Sequence, residues 1–157
     1  MIISIISKEK KESAQLKQVR DLLRLEKNNQ FICEQSGSIY HLEGTVNLSE
    51  TQSIAQQLLC DVIIEKFEVN SLPKSAQIIF ADVRYKPGVT DTVGESVQKA
   101  IRDLGVQSVK QASSGTRYVF KLNAKIKIDD SLLQNIQQFA NRHLLNPLVQ
   151  ECKITKL

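Results

Sequence analysis

Apolar and polar residues alternate from Ile79 to Tyr85, with Ile79, Ala81, Val83 and Tyr85 on one side and Asp82 and Arg84 on the other. That period of two predicts a strand with one buried face. Pro87 ends it, since proline cannot donate to a ladder. Beyond the loop the period changes to that of a helix: Val93, Val97, Ile101 and Leu104 share a face, and Gly105 stands where a left-handed residue closes the last turn. Thr92 with Glu95 three residues later predicts a capping box, and Asp91 is a second acceptor for the same backbone N–H groups.

The pattern extends over the whole chain and repeats. Ser36-Gly37-Ser38-Ile39-Tyr40 returns 78 positions later as Ser114-Gly115-Thr116-Arg117-Tyr118, which predicts a glycine-turned hairpin in each half. Leu58-Leu59, Val62-Ile63 and Glu65 are echoed 86 positions on by Leu144-Leu145, Leu148-Val149 and Glu151, the larger offset being absorbed by a longer second helix. Two copies of one unit follow, 1–73 and 74–157, each in the order strand, helix, strand, strand, helix, strand. In the first copy the predicted elements are Ile2 to Ile6, Glu12 to Glu26, Phe31 to Gln35, Ser38 to Glu43, Ser49 to Cys60 and Val62 to Val69. In the second they are Gln77 to Tyr85, Thr92 to Leu104, Val106 to Ala112, Thr116 to Leu122, Asp129 to Leu145 and Leu148 to Thr155. Helix faces at Leu16, Val19, Leu22 and Leu23, and at Leu132, Ile136, Phe139 and Ala140, support this. The expected fold class is α+β: two ferredoxin-like βαββαβ units with antiparallel sheets, packed as a pseudo-dimer across the short connector Ser71-Leu72-Pro73-Lys74. Ile78 and Phe80 point to the sheet's second face, which the other copy is expected to cover.

Composition narrows the class without changing this picture. The 157 residues are 41% hydrophobic and 24% charged, ordinary for a globular protein. No apolar run approaches the ~20 residues of a membrane span, and Met1 to Ser7 has no basic lead-in and meets Lys8 too soon for a signal peptide. A cytoplasmic location is expected. Cys33, Cys60 and Cys152 are odd in number and widely spaced, and they read as reduced, mostly buried thiols. Charge is divided unevenly, with 8 Lys and Arg against 10 Asp and Glu in residues 1–73 and 13 against 7 in residues 74–157. The basic second half suits nucleic acid, a phosphorylated metabolite or an acidic partner, but its lysines are spread singly, as on an ordinary solvated surface.

The loop between the alternating strand and its helix carries the strongest signal. Lys86, Gly88, Val89, Asp91 and Gly94 match, in order and spacing, a K-x-G-V-x-D-P-x-G-like loop, and the segment 75–157 resembles the small PurS-type subunit of phosphoribosylformylglycinamidine synthase. Thr92 stands where that family usually has proline, and Thr116, followed by Arg117, where it usually has lysine after Gly115. In the first half, Ser7 to Ser13 reads SKEKKES and lacks the motif. The resemblance implies a tandem version, similar to the fused pair that begins the long single-chain synthases without their catalytic remainder, either a free-standing subunit, which the end at Leu157 favours, or the start of a longer gene product. It implies an accessory role: holding the ATP-dependent synthetase and the glutaminase subunit in the arrangement that delivers ammonia to formylglycinamide ribonucleotide in de novo purine biosynthesis. The complex would use ATP, Mg and glutamine, with no cofactor bound by this chain. Lys86, Gly88, Asp91, Gly94, Gly115, Thr116 and Arg117 are the expected partner-contact positions, and further self-association of pseudo-dimers is left open.

Catalysis by the chain itself is not expected. His41 and His143 stand alone, and no nucleophile elbow, P-loop or dinucleotide-binding glycine pattern occurs. None of the three cysteines has the neighbouring base a glutaminase nucleophile needs. Asp129-Asp130 reads as a helix N-cap before it reads as a metal site. The alternative reading is a regulatory module of tandem ferredoxin-like type that binds an amino acid or nucleotide between its units. RNA binding through Tyr118 and Phe120 is disfavoured by an aromatic content of only 5% and the missing RNA-reading signature, so no nucleic acid or membrane partner is expected.

Overall fold

The computed structural model describes residues 1–8 and 13–157. Its elements are β1 (Ile2–Ser7), α1 (Ala14–Leu25), β2 (Phe31–Gly44), α2 (Leu48–Ile54) running into a π-turn at Ala55–Leu59, and β3 (Glu65–Val69). These are followed by β4 (Ile78–Tyr85), α3 (Thr92–Asp103), β5 (Val109–Leu122), α4 (Asp130–His143) and β6 (Gln150–Thr155). The expected start of the first helix at Glu12 lies outside the described residues. Caps set the helix starts: Ser13 accepts from the Leu16 N–H at 3.1 Å, and Asn47 and Glu50 form a reciprocal capping box at 2.9 and 3.0 Å. Asp129 accepts from the Leu132 N–H at 2.7 Å, the N-cap expected of it.

The class is α+β, and the strands form one antiparallel six-stranded sheet in the order β3-β1-β2-β5-β4-β6. The two predicted hairpins do not exist. β2 and β5 each run straight through the glycine and pair with each other along their length, from Phe31 opposite Leu122 to Gly44 opposite Val109. A tight hairpin needs positive φ at its turn, and the glycines that have it are Gly44, Gly88 and Gly105, not Gly37 or Gly115. Gly37 and Gly115 serve close approach instead. A Cβ at Gly115 would stand 2.5 Å from the Val83 carbonyl oxygen, and one at Gly37 would collide with the carbonyl of Ile5.

Because the long strands cross from one half to the other, the cores interlace. One core joins Leu16, Val19 and Leu23 of α1 and Phe31 and Cys33 of β2 to Ile79, Ala81 and Val83 of β4, Phe120 of β5 and Leu132, Ile136 and Phe139 of α4. Phe31, Phe120 and Phe139 meet edge to face at centroid distances of 5.1–6.3 Å. The other core joins Ile3, Ile5, Leu42 and Ile54 of the first half to Ile101 of α3 and Val109 and Ala112 of β5. Tyr118 and Phe120 thus face the helices, buried. All four helices lie on one face, so the second face of the sheet is not covered by the other copy as expected. Phe80 is buried there by smaller means: the Arg117 guanidinium lies 4.3 Å above its ring, and Ser71 of the connector holds that guanidinium. Among the described residues no helix is long and apolar enough to cross a membrane.

Candidate functional site: the cleft beside the loop after β4

β4 pairs with β5 only as far as Arg84 opposite Gly115, so the first part of β5 is flanked by the loop and by α3 rather than by a strand. A cleft of about 680 Å3 occupies that place, walled by Arg84 to Val89, Asp91, Glu95 and Gln98 on one side and Lys110 to Ser113 on the other, with Glu43 and Glu151 at its ends. The loop turns at Lys86–Val89, where the Val89 N–H donates to the Lys86 carbonyl at 3.1 Å and Gly88 takes φ +82°. Proline followed by a left-handed glycine is the chemistry of a type II turn. Lys86 ties the turn to the segment before β6: its N–H donates to Val149 O at 3.0 Å, and its Nζ to Pro147 O at 2.5 Å.

Asp91 holds the other end of the loop. One carboxylate oxygen accepts from the Gly94 N–H at 2.8 Å and from Ser114 Oγ at 2.7 Å, the other from the Ser114 N–H at 2.5 Å. Asp91 is therefore the N-cap of α3, and the capping box expected of Thr92 and Glu95 does not form, since the residue three positions after the cap is Gly94, which has no side chain to reach back. Gly94 is buried behind it: a Cβ there would stand 2.5 Å from an Asp91 carboxylate oxygen and 2.8 Å from the Ala112 carbonyl, so the clamp demands glycine. Arg84 pairs with Glu151 at 3.0 Å at the cleft's end, both partly exposed.

Of the expected contact positions, Lys86, Gly88 and Asp91 come together on the cleft, and Gly94 supports it from behind. Gly115 and Thr116 lie in β5 opposite Arg84 and Val83, outside the cleft's lining. Arg117 is turned inward instead of out to a partner: Nε and one terminal nitrogen each donate to Asp82 at 2.7 Å, the other terminal nitrogen donates to Ser71 Oγ at 2.9 Å, and both charged side chains are 5% exposed. The residue missed by sequence reasoning is Ser114. It precedes a glycine in an apparent turn, and no local pattern announces that it clamps an aspartate 23 positions away.

The cleft's walls carry both signs of charge, from Arg84, Lys86 and Lys110 and from Glu43, Glu95 and Glu151. Neither histidine enters it. His41 lies on the helix-free face, where burial first and then Arg84 hold its pKa below the usual range, while His143 meets Glu26 at 2.6 Å. Among the described residues no group of three His, Cys, Asp or Glu is placed to hold a metal ion. The arrangement is a mixed-charge cleft whose loop is tied at one end by Lys86 and at the other by Asp91.

The model of one protein family, PurS: Phosphoribosylformylglycinamidine (FGAM) synthase, matches residues 79–157. The phosphoribosylformylglycinamidine synthase subunit PurS of Archaeoglobus fulgidus is 32% identical over 72 residues, which are 46% of this chain and 88% of that protein.

Proposed function

We propose that this chain, which belongs to the PurS family of phosphoribosylformylglycinamidine (FGAM) synthase, is a tandem accessory subunit of that enzyme. It is non-catalytic by itself, and it bridges the ATP-dependent synthetase and the glutaminase subunits in a complex that uses ATP, Mg and glutamine in de novo purine biosynthesis. One observation carries the tandem reading: nearly the whole of a PurS relative aligns with less than half of this chain. A second PurS-like unit, 1–73, beside the matched unit, 74–157, accounts for the remainder, and the same order of strand, helix, long strand, helix, strand in both halves supports this. The antiparallel β2–β5 pairing then stands where two separate subunits would meet in a dimer.

The partner-contact surface is the cleft with Lys86 and Gly88 at its lip, and Asp91, Gly94 and Ser114 give the loop its shape. Because the motif is present in one half only, the chain meets its large partner from one side. The test is co-elution of the full chain with the synthetase and glutaminase subunits in the presence of ATP, Mg and glutamine. Wild type is expected to join both in one complex, and Lys86→Ala to weaken capture of the synthetase by about tenfold, the loss of one charge-assisted contact. Unaltered capture by Lys86→Ala together with Asp91→Ala would remove the loop from the interface. No assembly with either subunit would remove the bridging role.

A further inference from the structure

The face of the sheet without helices carries a second concavity, about 140 Å3, unrelated to the loop cleft. Its walls are Ile6, Ile78, Phe80 and Val119, drawn from both halves of the chain, and its roof is the connector at Ser71 and Lys74. An apolar cavity of about 150 Å3 admits benzene, so this one is large enough for a ring or a branched aliphatic group. Its inner end is polar and fixed: Arg117, neutralised by Asp82 and stacked on Phe80, donates to Ser71 and so seats the connector over the opening.

Charge at the mouth is unbalanced. Glu68 is paired with Lys74 at 3.0 Å and Glu34 with Lys121 at 3.6 Å, whereas Lys66 has no carboxylate within ion-pair range among the described residues. A cation left over at the opening of an apolar hole favours an anion attached to an apolar body. We infer that this pocket binds a small organic carboxylate, its apolar tail no larger than about a benzene ring lying over the cross-strand pair Phe80 and Val119 and its carboxylate on Lys66. A free amino acid such as leucine or phenylalanine and the corresponding 2-oxo acid share this chemistry, and only the amino acid adds an ammonium group that Glu34 or Glu68 can accept. The ligand would pin the connector to the sheet from below. This site does not depend on the FGAM synthase assignment, because it is read on the isolated chain.

The experiment is titration of the full chain with leucine, phenylalanine and their 2-oxo acids, following the methyl resonances of Ile6 and Ile78 and the heat of binding. At about 10 mM a probe fills sites with a Kd of about 1 mM, and at least one probe is expected to shift both methyls. Lys66→Glu is expected to weaken binding by about tenfold or more through charge reversal. Val119→Phe fills the cavity in a chain that remains folded by circular dichroism, and is expected to abolish binding. Preference for the amino acids identifies the ammonium contact, and equal binding of the oxo acids identifies the carboxylate and tail as sufficient. Absence of any shift at the highest concentration, or binding that neither variant alters, overturns the assignment.

Discussion

Replacing Arg117 by alanine tests how the helix-free face is held. The guanidinium makes two 2.7 Å bonds to Asp82, one 2.9 Å bond to Ser71 and a stacking contact with Phe80, and both charged side chains are 5% exposed. Removing it leaves the Asp82 carboxylate buried without its counter-charge, which costs about 3–5 kcal/mol. In a chain of this length each kcal/mol moves Tm by about 2–4 °C, so a fall of roughly 6–20 °C is expected in thermal and urea unfolding. The corresponding positions 78 residues earlier are Ser4 and Ile39, on the same face and buried without any charge. The double variant Asp82→Ser/Arg117→Ile copies them, removes both charges at once and is expected to regain most of the loss. A single-variant loss below about 1 kcal/mol, the range of an exposed pair, would refute the burial reasoning. So would a double variant no more stable than Arg117→Ala.

Other features give sharper contrasts. Gly115→Ala forces a Cβ to within 2.5 Å of the Val83 carbonyl and is expected to cost about 1–3 kcal/mol as overpacking, whereas Gly88→Ala meets no atom within 4 Å and loses only about 1 kcal/mol to its φ of +82°; equal losses in urea unfolding would contradict this. His41 has a lowered pKa in the folded chain, so the unfolded chain binds the extra proton near its ordinary value of about 6.5. Stability is then full above that pH and falls as the pH drops below it, and His41→Gln should flatten the fall; an unchanged profile between pH 7 and 5 would rule His41 out. Burial pushes the thiols of Cys33 and Cys152 up to about 12 and raises that of Cys60, so a disulfide reagent at pH 8 is expected to label the native chain far more slowly than the urea-unfolded one. Rapid labelling of all three in the native state would contradict their packing. Residues 1–73 and 74–157 expressed as separate chains are expected to co-purify, and neither to unfold cooperatively as a monomer, because each core takes residues from both; two halves that each unfold cooperatively as monomers would disprove the interlacing.

Features fixed by neighbours in the chain were legible in the sequence. Alternation placed Ile79, Ala81 and Val83 under the helices, and Asp129 and Gly105 were recognisable as an N-cap and a left-handed helix stop. The hairpins failed for a physical reason. Ser-Gly-Ser and Ser-Gly-Thr satisfy a turn's local preferences, while the need for glycine comes from carbonyls of other strands, at Ile5 and Val83. The same holds for Asp82, which alternation assigns to the polar face, and for Arg117, expected to meet a partner. The connector, laid across that face by the tertiary fold, and the Phe80 ring help take them out of water. At the cleft, Lys86, Gly88 and Asp91 were visible through their motif, but Ser114 was not, since its partner is set by how β5 passes the loop.

The interlacing and the single intact loop bear on each other. In a symmetric pair of subunits both loops would be free to keep the same contacts, and a change in one sequence would alter both. On the tandem reading proposed above, a fused pair escapes that constraint, so one half can keep Lys86 to Gly94 while the other keeps SKEKKES at the matching place. What cannot drift apart is the shared core. Phe31 of the first half packs edge to face on Phe120 of the second at 5.1 Å, and Ile101 of the second half lies fully buried against the strands of the first. Enlarging either side would overpack a cavity formed by both, at about 1–3 kcal/mol for each misfit. Divergence is therefore freest on surfaces that one half owns, above all the loop cleft, which belongs almost wholly to the second half. Partner recognition can become one-sided in such a molecule without loosening the joint that keeps its two halves together.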